Sequence, residues 1–411
     1  MSQMTPSSVV MSQVTPTSVI QETPTYVVRS QESTTTSIVR TQKTPIFAVS
    51  SQDTPTSLVK SQETPQSILM SQKKSVSSSK RTVYLNWLNM VVLACCIVPS
   101  YPGILDLDDP RIPDSADNLH IAAKYLGDHV TELNPDLLVL ISHRSPRIPD
   151  QIALHLGSTA VGSSCLHAHW QQFKVSGNIG IEETKELHEM LENKGKKVCL
   201  IEPGDCGTTL GWAETTSLWF LGETRGTSGT RSRTIHQDML IISPPGPREA
   251  PNEETPDFLD YCVSIGEDIA DILDDMTEKI VIIVPGDLSQ EHLPHGDFPE
   301  FKPPGNIKHD ISRVDKELRK PNFRKAEAFD DTIEHWVRTI HRAELVDRAP
   351  DILYTPALLS LSILQGIVER CGLAGEVLAR AAPSYLGQLA ALFHPQDKGW
   401  RVLGRPLPKK V

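Results

Sequence analysis

The chain of 411 residues lacks the features that define several common protein classes. Its seven cysteines are an odd number and contain no C-x-x-C pair, which argues against a disulfide framework or a zinc ribbon. The first twenty residues have no charge, but they also have no apolar segment of the kind that a secretory signal requires. The longest apolar run, Met90–Pro99, has about half the length needed to span a bilayer. These absences exclude a secreted mini-protein and a helical membrane protein.

Positive charge is outnumbered by negative charge after the first 80 residues. The formal net charge is −11, to which residues 1–80 contribute +3 and the remainder −14. An acidic body argues against a broad surface for nucleic acid or anionic membranes, so we expect neither as a partner. Unpaired cysteines and the lack of a targeting segment favour a reducing compartment, most simply the cytoplasm.

The first 70 residues carry a degenerate ten-residue repeat, S-Q-x-T-P-x-S-Φ-Φ-x, in which Φ is apolar. Each repeat offers a short apolar pair, such as Val9-Val10 or Leu58-Val59, which is too little apolar surface to offset the entropy of an ordered chain. The repeat therefore predicts a disordered tail and linker over residues 1–80, with a short β-solenoid as the alternative. Ser-Gln and Thr-Pro are kinase-type dipeptides. The tail is accordingly either a phosphorylatable tether for protein partners or a repeat expansion without function.

From about Tyr84 onward, buried strands alternate with amphipathic helices, a pattern typical of an α/β domain. The predicted strands are Met90–Val98, Leu137–Ser142, Lys197–Glu202, Met239–Ser243 and Ile280–Val284. The predicted helices are Asp117–Leu133, Ile181–Asn193, Phe258–Met276, Ala326–Arg342 and Pro356–Cys371. The alternation predicts a mostly parallel central sheet flanked by helices over residues 84–394, followed by a C-terminal tail over 395–411.

Polar turns follow four of the predicted strands, at residues 99–103, 142–146, 202–207 and 285–292. Open α/β sheets bind ligands beyond the carboxyl ends of their strands, so we expect these turns to border one pocket. In this order, the turns resemble those of the class III extradiol ring-cleavage dioxygenases, the family of the protocatechuate 4,5-dioxygenase catalytic subunit.

The resemblance covers about Val91 to Phe393. It rests on Ile97-Val98-Pro99 with Pro102, on residues 134–142, on Ser217-Leu218-Trp219-Phe220-Leu221, on Gly286-Asp287-Leu288-Ser289, on Phe329-Asp330 and on Pro383-Ser384-Tyr385-Leu386-Gly387. It implies an α/β fold and an enzyme that opens catechol-like aromatic rings with non-haem Fe(II). Two histidines and one carboxylate hold the iron in such sites, and a further histidine acts as acid and base.

Every histidine position of the family is carried by another residue type in this chain, and only the carboxylate keeps its charge. The two metal-binding histidines fall on Ser100 and Arg144, and the metal carboxylate falls on Asp351. The acid/base histidine falls on Gln290, and a further histidine of the family falls on Cys206.

These replacements predict that the standard Fe(II) site is absent. A serine hydroxyl is a poor ligand for Fe(II), and the guanidinium of Arg144 stays protonated and cannot ligate. We expect Arg144 to form an ion pair with Asp351 in place of the metal; the alternative is that both side chains face solvent. A non-catalytic relative would use the old pocket for a small aromatic or anionic ligand or for a protein partner, and a homo-oligomer is also compatible with the sequence.

A shifted metal site is the competing hypothesis, and it leaves open whether the chain is an enzyme. His143 precedes Arg144 by one residue and His292 follows Gln290 by two, so these histidines with Asp351, and His295 nearby, would retain Fe(II) and dioxygenase activity. Side chains alternate along a strand, and a slip of one residue turns His143 to the other face, which counts against this site.

Three weaker signals remain. Cys206 at a strand end is a candidate nucleophile, although no histidine in the same turn supports it. Residues 222–233, rich in glycine and arginine, are either an anion-binding loop or a flexible surface loop. His167 and His169 either chelate a metal or belong to an ordinary strand.

Overall fold

The computed structural model describes residues 27–29, 91–110, 112–166, 169–204, 207–225, 231–246, 255–292 and 323–395. In this part of the chain the predicted α/β architecture is confirmed. Apart from Val27–Arg29, the repeat segment lies outside the described residues, and so do Cys206 and residues 247–254, 293–322 and 396–411.

The structure contains two sheets. The strands of the first are β1 (Val27–Arg29), β2 (Val92–Val98), β3 (Leu137–Ile141), β4 (Ile152–His155), β7 (Val198–Glu202), β11 (Asp238–Ser243), β12 (Ile280–Pro285), β13 (Leu373–Ala381) and β14 (Gln388–Pro395). Those of the second are β5 (Thr159–Ser163), β6 (Phe173–Asn178), β8 (Thr208–Leu210), β9 (Glu223–Arg225) and β10 (Arg231–Thr234).

Seven α-helices surround the sheets in the described residues. They are α1 (Ser115–Leu133), α2 (Ile181–Asn193), α3 (Trp212–Trp219), α4 (Thr255–Asp274), α5 (Phe323–Thr339), α6 (Ala349–Ile352) and α7 (Ala357–Cys371). A 3₁₀ turn at Pro102–Leu105 and a π-helical turn at Glu344–Arg348 complete the described helical segments. No described helix is both long and apolar enough to cross a membrane.

The first sheet has the strand order β1-β7-β4-β11-β3-β12-β2-β14-β13. Its four central strands, β11, β3, β12 and β2, are parallel to one another. At one side β14 and β13 add antiparallel strands, and at the other β4 runs antiparallel to β11. The carboxyl ends of β3, β12 and β2 therefore lie side by side, with β12 in the middle.

Both faces of this sheet are buried, which is why its central strands are continuous apolar runs. Ile280, Ile282 and Val284 of β12 pack with α2, α4, α5 and α7 on one face. Val281 and Ile283 pack on the other face with α1, α3 and part of the second sheet. One strand thus joins the two halves of the core.

The second sheet, in the order β8-β5-β6-β10-β9, was not predicted. Its strands are three to six residues long and include exposed positions, as in β5, where Thr159 and Val161 face solvent. Short segments of this kind lack the continuous apolar run that reveals a buried strand.

Candidate functional site

The turns after β2, β3 and β12 meet at one edge of the sheet, as predicted. The prediction is wrong for the fourth turn, because β7 runs antiparallel to these strands and ends at the opposite edge. Ser100 follows β2, His143 and Arg144 follow β3, and Asp287 follows β12 between them. Because β12 is the middle strand, a side chain in its turn is within reach of both neighbours.

Asp287 is the centre of this cluster, although it was not predicted as a site residue. The carboxylate is fully buried. Arg144 donates through Nε to Asp287 Oδ2 at 2.7 Å and also through Nη2. Ser100 Oγ donates to Asp287 Oδ1 at 3.2 Å. Ser100 and Arg144, which the resemblance assigns to the two metal-histidine positions, therefore contact the same carboxylate.

The charge of Asp287 is maintained by its neighbours. Burial by itself raises the pKa of this carboxyl, but the adjacent His143 and Arg144 outweigh that effect and hold the pKa well below its usual range. The pair is thus an ionised carboxylate with a guanidinium whose side chain keeps 23% exposure. Charge-assisted bonds of this kind hold the turns after β3 and β12 together.

Gln388, the first residue of β14, organises the turn after β2. Its Oε1 accepts hydrogen bonds from the backbone N–H groups of Ser100 at 2.8 Å and Tyr101 at 3.1 Å. Gly286 is required beside it, because a Cβ at this position would collide with the carbonyl of Leu389. The Gly286 N–H donates a hydrogen bond to the Val98 carbonyl at 2.7 Å, and this bond brings Asp287 next to β2.

Helix α3 supplies one wall of the site through its first turn. The Arg144 guanidinium lies 5.2 Å from the ring centroid of Trp212, a cation–π arrangement. Glu214 is fully buried, and its Oε1 accepts hydrogen bonds from Ser142 Oγ and, at 3.0 Å, from Ser145 Oγ. The helix therefore fixes both ends of the turn that carries His143 and Arg144.

Several buried polar atoms in this region have no hydrogen-bond partner. They are both ring nitrogens of His143, Glu214 Oε2, Gln388 Nε2 and Ser289 Oγ. His143 Nε2 lies 3.2 Å from Asp287 Oδ1, but without the alignment of a hydrogen bond. Buried polar groups are nearly always paired in proteins, so these unpaired atoms are the candidates for contact with a ligand.

The predicted ion pair between Arg144 and Asp351 is wrong. Asp351 is exposed in α6, and no ion pair joins these two described side chains. Arg144 pairs with Asp287 instead, because Asp287 follows the strand next to β3. Gln290 lies half-buried three residues after Asp287, in the same turn. The prediction that Cys206 is a nucleophile concerns a residue outside the described part of the chain.

The shifted metal site is not formed. His292 is bound elsewhere: its Nε2 lies 2.8 Å from Asp330 Oδ2, and Asp330 Oδ1 also accepts from the Ser289 N–H at 3.2 Å. His143 approaches Asp287, and Asp351 faces solvent. Across the described ranges, no three His, Cys, Asp or Glu side chains are close enough to hold a metal ion. His295 is not among the described residues.

The donors at the family's metal positions do not fit Fe(II). A divalent iron site needs neutral imidazoles and carboxylates that point at one cation. Here a guanidinium occupies one position, and a hydroxyl that is hydrogen-bonded to Asp287 occupies another. The third position, Asp351, is exposed to solvent. A protonated guanidinium would repel Fe(II).

In the described part of residues 222–233, β9 pairs with β10, and the loop that joins these strands lies outside the described residues, so the prediction of an anion-binding or flexible loop is not tested. Arg233 stacks 4.8 Å from the Trp219 centroid and donates through Nη1 to the carbonyls of Trp219 and Gly222. Its guanidinium is thus used within the fold. Residues 226–230 are outside the described ranges, and so are His167 and its neighbour Ala168.

Comparison with known proteins gives no family for this chain. No family model matches it, and no curated protein matches it. Among solved structures, the chain is similar to an uncharacterized protein, JW3007, from Escherichia coli K12. The two share 13% identity over 66% of this chain and 90% of that one, with a TM-score of 0.37, a likeness too low to support an argument about fold or function.

Proposed function

We propose that this chain is a relative of the class III extradiol dioxygenases in which a buried ion pair has replaced the iron, and that it binds a small hydroxylated aromatic molecule without cleaving it. One observation carries the proposal. Ser100 and Arg144, which stand at the two metal-histidine positions by resemblance, both contact Asp287. That convergence supports the alignment of these turns with those of the family. In the proposed arrangement the carboxylate of Asp287, and not a metal ion, links the turns.

Electrostatics supports binding without iron. Arg144 supplies the positive charge that balances Asp287, so the turn after β12 is held without a metal ion. A second positive group of charge +2 beside the guanidinium would be repelled in a site of low dielectric constant. We therefore expect no standard ring-opening chemistry at these residues.

The ligand class follows from the unpaired atoms. Gln388 Nε2 is a donor, Glu214 Oε2 is a carboxyl oxygen, and both ring nitrogens of His143 lack a hydrogen-bond partner. An anion only accepts hydrogen bonds, whereas a hydroxyl both donates and accepts. A phenol or catechol thus fits this mixture better than a small anion does, and Trp212 provides an aromatic wall.

Anaerobic titration of the full chain with catechol, with and without added Fe(II), tests the proposal. We expect catechol to bind with the same affinity in both cases, no stoichiometric iron in the washed protein, and no oxygen uptake on exposure to air. Glu214→Gln should weaken catechol binding about tenfold, because the variant keeps an acceptor for Ser142 and Ser145 but turns the free acceptor into a donor.

The matched control is Glu192→Gln, which makes the same change at an exposed residue of α2 and should leave catechol affinity unchanged. Iron retained at one ion per chain and lost in Asp351→Ala would overturn the metal-free assignment. Absence of catechol binding, or equal binding in wild type and Glu214→Gln, would overturn the assignment of the ligand site.

A further inference from the structure

The edge of the first sheet is closed by a piece of the N-terminal repeat. β1 lies antiparallel to β7, with Val27 opposite Glu202, Val28 opposite Ile201 and Arg29 opposite Leu200. On its other side β7 pairs with β4. Without β1, the outer N–H and C=O groups of β7 would be an open edge, which is a template for pairing with any extended segment.

The pairing segment belongs to a series of near-identical segments. Val27-Val28 is the apolar pair of its repeat, and it falls three and four residues after Pro24. Five other apolar pairs stand at the same distance after a proline: Val9-Val10, Val19-Ile20, Ala48-Val49, Leu58-Val59 and Ile68-Leu69. A further pair, Ile38-Val39, has Thr35 at the proline position. Strand addition depends mainly on main-chain hydrogen bonds, so these segments offer the same pairing to β7.

The proline in six of the seven repeats limits the strand to a short length. Proline has no N–H for a ladder, and it restricts the residue before it, so pairing cannot extend far toward the amino end of the segment. The three-residue length of β1 agrees with this limit. A docked segment of three residues makes few bonds, which favours exchange between segments over permanent pairing.

Every repeat can reach the edge. β1 is six strand positions from β2 in the sheet, a distance of about 29 Å at a spacing of about 4.8 Å. The shortest tether runs from Leu69 to Val91, and its 22 residues span up to about 70 Å when extended. All other apolar pairs have longer tethers. Length therefore excludes none of the seven pairs.

We propose that the edge of β7 is a docking site for the apolar pairs of the repeat, and that the seven pairs of the same chain exchange on it. Each segment is held at a high effective concentration by its tether, so seven equivalent pairs raise the chance that the edge is covered by up to about sevenfold over a single pair. The repeats that are not docked carry their Ser-Gln and Thr-Pro dipeptides away from the sheet. This inference is independent of the ligand site.

Hydrogen exchange of the β7 peptide, Val198–Glu202, in the full chain tests the proposal. In Val28→Pro, the segment of β1 loses its pairing, yet protection of β7 should stay within about twofold of wild type because another pair replaces it. Proline at the second position of all seven pairs should reduce protection tenfold or more. That variant carries the changes V10P, I20P, V28P, V39P, V49P, V59P and L69P.

A matched variant adds the same number of prolines to the tail but spares the apolar pairs. Its changes are Q3P, Q13P, Q21P, Q31P, Q42P, Q52P and Q62P, and it should protect β7 as the wild type does. Loss of protection in Val28→Pro alone would show that β1 is a unique strand and overturn the exchange. Full protection in the variant with all seven pairs changed would show that the tail does not cover this edge.

Discussion

Two groups of ion pairs in this molecule use the same chemistry in opposite surroundings. At the strand ends, Arg144 pairs with Asp287, a carboxylate without solvent exposure. On the surface between α2 and α4, Lys194 lies 3.0 Å from Asp268 and 3.3 Å from Asp271, with every side chain solvent-accessible. Burial makes the first pair costly to break, whereas water and salt screen the second. The comparison indicates that the strand-end pair is the one on which the site depends.

The largest effect is expected from breaking the buried pair. Arg144→Met leaves the Asp287 charge buried without its guanidinium, and removal of one partner of such a pair costs about 3–5 kcal/mol of unfolding free energy. The double variant Arg144→Met with Asp287→Leu should recover most of this loss, because an apolar pair of similar volume carries no desolvation penalty. Urea unfolding of both variants measures the difference.

Equal losses in the single and the double variant would mean that Arg144 acts through packing on Trp212 and not through the charge of Asp287. A loss below about 1 kcal/mol in Arg144→Met would place the pair among solvent-screened ones and would remove the contrast with Lys194.

The sequence predicted the site's location better than its internal contacts. The turns carrying Ser100 and Arg144 were expected to meet, because parallel strands end at one edge. The partner of Arg144 was predicted wrongly as Asp351, since strand order is not visible in a sequence, and only that order places Asp287 between the two turns. The signal was present: Asp287 follows a buried apolar run and belongs to the segment on which the resemblance rests.

Other parts of the fold were beyond prediction for a different reason. Strands such as β5 and β6 are short and half-exposed, so their pairing partners decide their structure. The same holds for Val27–Arg29, whose sequence offers only one apolar pair and whose strand pairs with the edge of β7. The amphipathic helix α2 and the fully buried strand β12 depend on their own sequence patterns and were predicted to within a residue.

A smaller effect is expected at a buried group that has no charged partner. His155 is buried beside Ser243 Oγ at 2.9 Å, and burial lowers the pKa of this imidazole from 6.5 to about 4. Between about pH 6.5 and pH 4, His155 therefore binds a proton in the unfolded chain but not in the folded chain. The free energy of unfolding should fall by about 3 kcal/mol as the pH drops through this window.

His155→Gln tests this expectation, because its amide keeps a hydrogen bond to Ser243 but does not titrate. Urea unfolding from pH 7 to pH 4 should show a weaker pH dependence in this variant than in wild type. His236→Gln, at a half-exposed position, should keep the wild-type slope. An unchanged slope in His155→Gln would mean that His155 is accessible to protons in the folded state. His155 and Asp287 together indicate that burial favours the neutral form of a side chain unless a neighbouring group carries the opposite charge.

The smallest effect is expected on the surface between α2 and α4. Lys194→Met removes the pairs with Asp268 and Asp271, yet it should cost less than about 1 kcal/mol, because solvent screens these charges. The cost should nearly vanish in about 1 M NaCl, where the screening length is about 3 Å. Lys124→Met, which breaks the exposed pair with Asp128 on α1, is the matched control and should behave in the same way. A loss at Lys194 as large as that at Arg144, and insensitive to salt, would show that accessibility does not separate the two groups of pairs. The difference would then have to come from the number of charges that each group joins.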